Sequence, residues 1–257
     1  MTISTPGVWQ FARTLTDAFL PSGPWPELLA LHHTALDAAR RHADAEGQAN
    51  AHHGVASVCT RLGNYPDGQR HWAHALRLYG ELGDSLAQGR TYLNLSTLCS
   101  LTAQRADALC HAQRALELFR STGHEVWQAR ALNAVGWAQA RIGDYEAALA
   151  SSWQALRLVQ EVGDPAGEAD ALDSLGFVHH GLGRHDDAVR YFDQSRKRWR
   201  ELGDRYYEAS VLVRLGDSLR DAGNPEAAEE SWREAVAIFD QIDHPDAERV
   251  RAKLAPT

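Results

Sequence analysis

The sequence has little sulfur, no surplus of positive charge and no long apolar run. Its 257 residues include a single methionine and three cysteines. Cys59, Cys99 and Cys110 are odd in number and form no C-x-x-C pair. Neither a disulfide framework nor a thiolate metal site is expected, and all three read as small reduced core residues of a cytoplasmic protein. Lys plus Arg total 26 against 34 Asp plus Glu, a formal charge of −8. A surface that neutralises phosphates needs the opposite balance, which argues against nucleic acid as a direct partner. No stretch approaches the roughly 18 apolar residues of a membrane span, and the start lacks the basic segment and apolar run of a signal peptide. There is no G-x-x-x-x-G-K-[ST] loop for phosphates, no H-E-x-x-H motif and no G-x-S-x-G elbow. Alternating strand patterns are also missing. The composition, with 23% charged residues of both signs interleaved, suits a soluble helix-rich protein.

Internal repetition organises the chain. Gly83-Asp84, Gly123-His124, Gly163-Asp164 and Gly203-Asp204 follow one another at a step of 40 residues. Gly63, Gly143, Gly183 and Gly223 keep that step midway between them, and Gln48, Gln88, Gln128, Glu168 and Glu208 share it. Within each half-period the apolar residues fall at helical spacing, as at Ala131, Leu132, Val135, Ala138 and Ile142. Glycine supplies the left-handed residue that ends each helix, and Asp, Asn or Pro beside it starts the next. Small residues recur where two helices must approach: Gly68, Ala108, Ala148, Ala188 and Ala228 in second helices, and Ala56, Ser96, Gly136, Gly176 and Gly216 in first helices. Six helix pairs are expected at 5–43, 44–83, 84–123, 124–163, 164–203 and 204–243, within one domain spanning 1–257. A capping helix at 245–254 presents Asp246, Glu248, Arg249, Arg251 and Lys253. A first helix around Val8–Leu20 is expected to bury Trp9, Phe11, Leu15 and Phe19.

Ala131-Leu132-Asn133-Ala134-Val135-Gly136-Trp137, followed by Gly143-Asp144-Tyr145-Glu146-Ala147-Ala148, resembles the tetratricopeptide repeat. That repeat usually spans about 34 residues, so the longer period here implies helices of about five turns, near 27 Å. The fold so implied is all-α, a right-handed α-solenoid of about six helix pairs plus the C-terminal cap. Together with Ala171-Leu172-Asp173-Ser174-Leu175-Gly176 and Asp243-His244-Pro245 through Leu254, the long form is similar to the C-terminal repeat region of actinobacterial antibiotic-regulatory proteins. Those regulators combine a DNA-binding head, a nucleotide-switch (STAND) domain and repeats that restrain or sense. The winged-helix head and phosphate loop are not in this sequence, so only the sensory role carries over. The chain is then expected to be the sensory region, or a free-standing relative, of such a regulator. Its implied partners are a protein or peptide, among them the DNA-binding and nucleotide-binding domains of the same regulator. The other reading is an independent scaffold, or a peptide or small-molecule receptor of the bacterial quorum-sensing kind.

Chemistry is sparse. His71 and His74 sit at i, i+3, yet no further ligand accompanies them, and His71 shares its repeat slot with His111. No metal, cofactor or catalytic residue is expected, including from His179-His180 near Asp186 and Asp187. Trp72, Phe192 and Trp232 share a second-helix slot and read as core. Trp137 and Phe177 follow the first-helix glycine; they either anchor a ligand on the concave face or fill space between long helices. If the stack curves as tetratricopeptide arrays do, its inner wall carries Arg90 and Asn94, then Arg130, Asn133 and Trp137, then Asp170, Asp173 and Phe177, then Arg214, with Asn50, His53 and Asp217 nearby. An Asn amide both donates to and accepts from a peptide backbone. The expected ligand is a polypeptide segment of mixed charge with an apolar anchor near Trp137; inter-repeat hydrogen bonding among the same residues is the alternative.

Overall fold

The computed structural model describes residues 9–12, 14–15 and 24–255, and every regular element among them is helical. Residues 9–12 and 14–15 are followed by α1 (Trp25–Arg41), α2 (Ala45–Arg61), α3 (Tyr65–Leu82), α4 (Ser85–Leu101) and α5 (Arg105–Thr122). These belong to one compact unit ending at His124. A second unit, from Glu125, contains α6 (Glu125–Ile142), α7 (Tyr145–Val162), α8 (Pro165–Gly181), α9 (His185–Leu202), α10 (Arg205–Asp221), α11 (Pro225–Gln241) and α12 (Asp246–Leu254). In α6 to α9 the helices run 17 or 18 residues, the five turns that the 40-residue period predicts.

Turns recur at half that period. Positive φ occurs at 63, 83, 123, 143, 163, 183, 203 and 223, all glycine, and in the same rhythm at Ala43, Ala103 and Asp243. At Gly163 (φ 68°) the backbone N–H donates to the Gln160 carbonyl, and the Asp164 N–H donates to that of Val159 at 2.9 Å. This closure satisfies carbonyls that the helix end leaves open. At the starts, Asp44, Asp84, Asp144 and Asp204 accept from the N–H groups of Gly47, Ala87, Ala147 and Tyr207 at 2.9–3.3 Å. Each such cap contributes about 1 kcal/mol.

Within each unit consecutive helices pack side by side. First helices also touch the next first helix: α2 meets α4 in one unit, and α6 meets α8 and α8 meets α10 in the other. The small-residue slots are buried as expected, with Ala108, Ala148, Ala188 and Ala228 wholly enclosed. Trp72, Phe192 and Trp232 are core. A Cβ added to Gly176 would lie 2.6 Å from the Phe192 ring, so α8 and α9 approach as closely as a bare backbone allows. Helix α12 buries Ala247 and Val250. Its basic residues reach back into the unit: Arg251 binds both carboxylate oxygens of Asp240 at 2.5 Å, and Lys253 donates to Asp217 at 2.6 Å.

Two expectations need correction. Cys110 is exposed, unlike Cys59 and Cys99. Phe11 is 59% exposed, because Trp9 and Ala12, three residues apart, take the buried face of that turn. Val8 and Phe19 lie outside the described residues.

Candidate functional site

The second unit assembles most of the expected inner-wall residues on the face where α6, α8 and α10 line up. Arg130, Asn133 and Trp137 occupy successive turns of α6, Asp170, Asp173 and Phe177 those of α8, and Arg214 sits on α10. Trp137 and Phe177 pack ring to ring at 4.7 Å. The Arg214 guanidinium lies 5.6 Å from the Trp137 ring centre, and that of Arg141 lies 5.9 Å from Phe177. Both aromatic rings keep partial solvent access, as do Asn133 and Asp170.

Two bidentate ion pairs stitch the helices together. Arg130 donates to both oxygens of Asp164 at 2.6 and 2.7 Å, linking α6 to the start of α8. Arg214 donates to both oxygens of Asp173 at 2.8 and 2.7 Å, linking α10 to α8. Planar forks of this kind fix orientation as well as charge. Burial works against ionisation of Asp164, but the hydrogen bonds and charge of Arg130, together with hydrogen bonds from the Gly167 and Ala166 backbone N–H groups, hold its carboxyl below the usual carboxylate range. Three of the expected site residues, Arg130, Asp173 and Arg214, thus serve inter-repeat pairing.

Asp170 differs from both neighbours. No described residue hydrogen-bonds or ion-pairs with it. Burial pushes its pKa up to about 7, the charge of Asp173 adds to the rise, and Arg130 opposes it. One turn from Trp137, the Asn133 Oδ1 is shielded from solvent and accepts no hydrogen bond. With Arg130 and Arg214 paired to Asp164 and Asp173, Asp170 and Asn133 Oδ1 remain as acceptors without a donor.

In the first unit Arg90 and Asn94 lie a turn apart on α4, both half-buried. Asn50 donates to the Glu46 carbonyl at 2.9 Å and accepts from the Tyr79 hydroxyl, and His53 stands edge-on to Trp72 at 4.6 Å. His71 and His74 on α3 meet His52 of α2 and His33 of α1. The Nδ1 atoms of His52 and His71 are 3.0 Å apart, and the His52 and His74 rings stack at 4.8 Å. Burial, helped by neighbouring imidazoles, lowers His52 to about 3 and His71 to about 4, so these two rings are neutral at ordinary pH. Among the described residues no three or more His, Cys, Asp or Glu are arranged to hold a metal ion. His179 packs on Tyr191 at 5.1 Å, and His180 Nδ1 lies 2.9 Å from the Ser218 hydroxyl. Asp217 is taken by Lys253.

Sequence reasoning missed Asp164 and Arg141. Asp164 falls in the helix-start slot of Asp44, Asp84 and Asp204, which disguises a charge partner as a cap. No helix of the described residues is long and apolar enough to cross a membrane.

The family profile described as "Tetratricopeptide repeat" matches residues 47–121 and 167–241, together more than half of the chain. The chain matches no curated protein sequence. Solved structures do resemble it. NprR in complex with its cognate peptide NprX superposes with a TM-score of 0.74 at 18% identity, over 97% of this chain and 70% of that one. A Rap protein complexed with competence and sporulation factor gives 0.70 at 17% identity, over 98% and 77%. A signal transduction ATPase with numerous domains and a tetratricopeptide repeat sensor, from Pyrococcus horikoshii, gives 0.61 at 18% identity, over 96% of this chain and 37% of that one. At these identities the likeness is one of fold.

Proposed function

The chain belongs to the tetratricopeptide repeat family, and from that premise we propose that it is a non-catalytic interaction module whose first-helix face in the second unit receives a polypeptide segment. One observation carries the reading: the Trp137–Phe177 pair is packed and partly open, beside an Asn133 amide whose acceptor has no partner. Half-exposed aromatics on a rigid face make efficient anchors, and an amide grips a main chain with little regard for sequence. The Arg130–Asp164 and Arg214–Asp173 pairs hold the three helices in place around them. Arg90 and Asn94 offer the same chemistry on α4 of the first unit. The test is affinity capture from source-cell lysate, comparing the wild type with the Asn133→Ala, Trp137→Ala double variant. Loss of one specific polypeptide with the fold intact supports the assignment; undiminished capture of the same polypeptide refutes it.

The role we propose is regulatory: the module is the sensory region, or a stand-alone relative, of an actinobacterial transcriptional regulator. Its partners then include that regulator's DNA-binding and nucleotide-binding domains. The sequence resemblance at 131–137, 171–176 and 243–254 and the fold likeness to the ATPase with a repeat sensor support this. A second reading, a free peptide receptor, is favoured by the higher structural similarity to NprR, solved with its cognate peptide, and to the Rap protein, solved with competence and sporulation factor. Blotting source-cell lysate separates the two. A band several times 28.4 kDa marks the sensory arm of a larger regulator; a band at 28.4 kDa marks a free receptor.

A further inference from the structure

The ion pairing on the first-helix face of the second unit is complete except at one carboxyl, and that asymmetry specifies what the face lacks. Arg130 and Arg214 are each engaged by two oxygens of a single carboxylate, Asp164 and Asp173 respectively. The charge of each guanidinium is thereby matched by one carboxylate. Asp170 stands between these pairs, one turn before Asp173 on α8, with no described donor of its own. Asn133 Oδ1, on the facing helix, is a second acceptor that receives no hydrogen bond. An incoming carboxylate or phosphate would meet the like charge of Asp170, whereas an incoming ammonium or guanidinium finds there a half-buried carboxyl with no donor. The aromatic pair alongside supplies a surface on which the alkyl stem of Lys or Arg, or a neighbouring apolar side chain, can lie.

We propose that the bound polypeptide carries a Lys or Arg next to an apolar residue, the basic group pairing with Asp170 while the apolar portion rests on Trp137 and Phe177. This inference rests on the function proposed above and refines it from a segment of mixed charge to one with a basic residue at a defined place. It assigns Asp170 a binding role and leaves Asp164, Asp173, Arg130 and Arg214 as the frame. The pairing is a charge-assisted hydrogen bond in a partly enclosed place, of the kind worth about 1.5–3 kcal/mol, or roughly tenfold or more in Kd.

The experiment uses the full chain and a phage-displayed library of random dodecamers. Peptides enriched on the wild type are sequenced, and the strongest is synthesised together with a copy bearing norleucine in place of its basic residue. Both are titrated against the wild type, Asp170→Asn and Trp137→Leu. Enrichment of Lys or Arg beside an apolar residue is expected, with Kd weakened roughly tenfold by Asp170→Asn. The norleucine peptide should bind wild type and Asp170→Asn alike, a coupling that unfolding of the variant cannot mimic. Enriched peptides without a basic residue, or equal binding of the basic peptide by wild type and Asp170→Asn, overturn the inference. If Trp137→Leu loses binding in that case, the peptide-binding reading stands without it. Failure to enrich any peptide, or binding unaffected by Trp137→Leu, overturns both.

Discussion

Replacing Gly176 tests the packing rule that sets the spacing of the helix pairs. A Cβ built there lies 2.6, 2.7 and 2.9 Å from Phe192 Cδ1, Cε1 and Cγ. Carbon atoms in contact prefer about 3.5–4.0 Å, so roughly 1 Å of displacement is required. The ring has little room to retreat, since it is 1% exposed and shares a core with Ala188, Leu212 and Trp232. Overpacking of this sort costs about 1–3 kcal/mol, while Ala outranks Gly within a helix by about 1 kcal/mol. Gly176→Ala should therefore destabilise by up to about 2 kcal/mol, and Gly176→Leu by about 3 kcal/mol or more. Urea unfolding followed by tryptophan fluorescence and circular dichroism measures both. Phe192→Leu supplies the internal control: by shrinking the obstacle it should make the double variant with Gly176→Ala at least about 1 kcal/mol more stable than additivity predicts. An unaltered unfolding midpoint for Gly176→Leu, or strict additivity in the cycle, would show that close approach at this glycine does not set the helix spacing.

Three further outcomes are expected. Asp170 has a folded pKa near 7 against an unfolded value of 3.8; its contribution is most favourable below the unfolded value and is lost as pH rises through the folded one. Asp170→Asn should stabilise the fold by roughly 1–2 kcal/mol after screening at about pH 8, read as a higher melting temperature, and progressively less towards pH 5; a stability loss at pH 8 would mean the carboxylate has a partner. For His52 and His71 the sign reverses, because folded values of about 3 and 4 lie below the unfolded 6.5. Their contribution is whole above about pH 6.5 and drains as pH falls towards 4, so thermal melts of the wild type should show an acid loss that His52→Gln reduces. Ala103 holds φ 61°, and Ala103→Gly should stabilise by about 0.5–1 kcal/mol in urea titration, relief of the left-handed strain exceeding the entropy of the added glycine; destabilisation would contradict the strain.

The helices were legible because their ends repeat. Glycine every 40 residues announces a turn, and Asp beside it announces the next start, so helix pairs follow from position alone. At Ala43, Ala103 and Asp243 the residue type gives no hint of positive φ, and only the surrounding rhythm marks the turn. Register also held an unused signal about Cys110: its equivalents are Arg70, Ala150, Arg190 and Glu230, all exposed, which marks a solvent slot. The site was legible only in outline. Helical spacing placed Trp137 and Phe177 on matching turns, and they do meet. It did not reveal which carboxylate each arginine takes, because Arg130 reaches forward to a residue 34 positions on and Arg214 back to one 41 positions earlier. Those separations reflect side-chain reach across neighbouring helices, which one-dimensional periodicity does not encode.

The left-handed residues at 20-residue intervals make length in this chain a quantised property. Excision of 144–183 would splice Gly143 directly to Arg184, recreating the junction that Gly183 makes now, with α6 standing where α8 did against α9. A cut that is not a whole number of 40-residue periods would break this match of helix to helix. Such a chain grows or shrinks by whole helix pairs, and the span of its first-helix face can be lengthened in evolution without redesigning any one repeat.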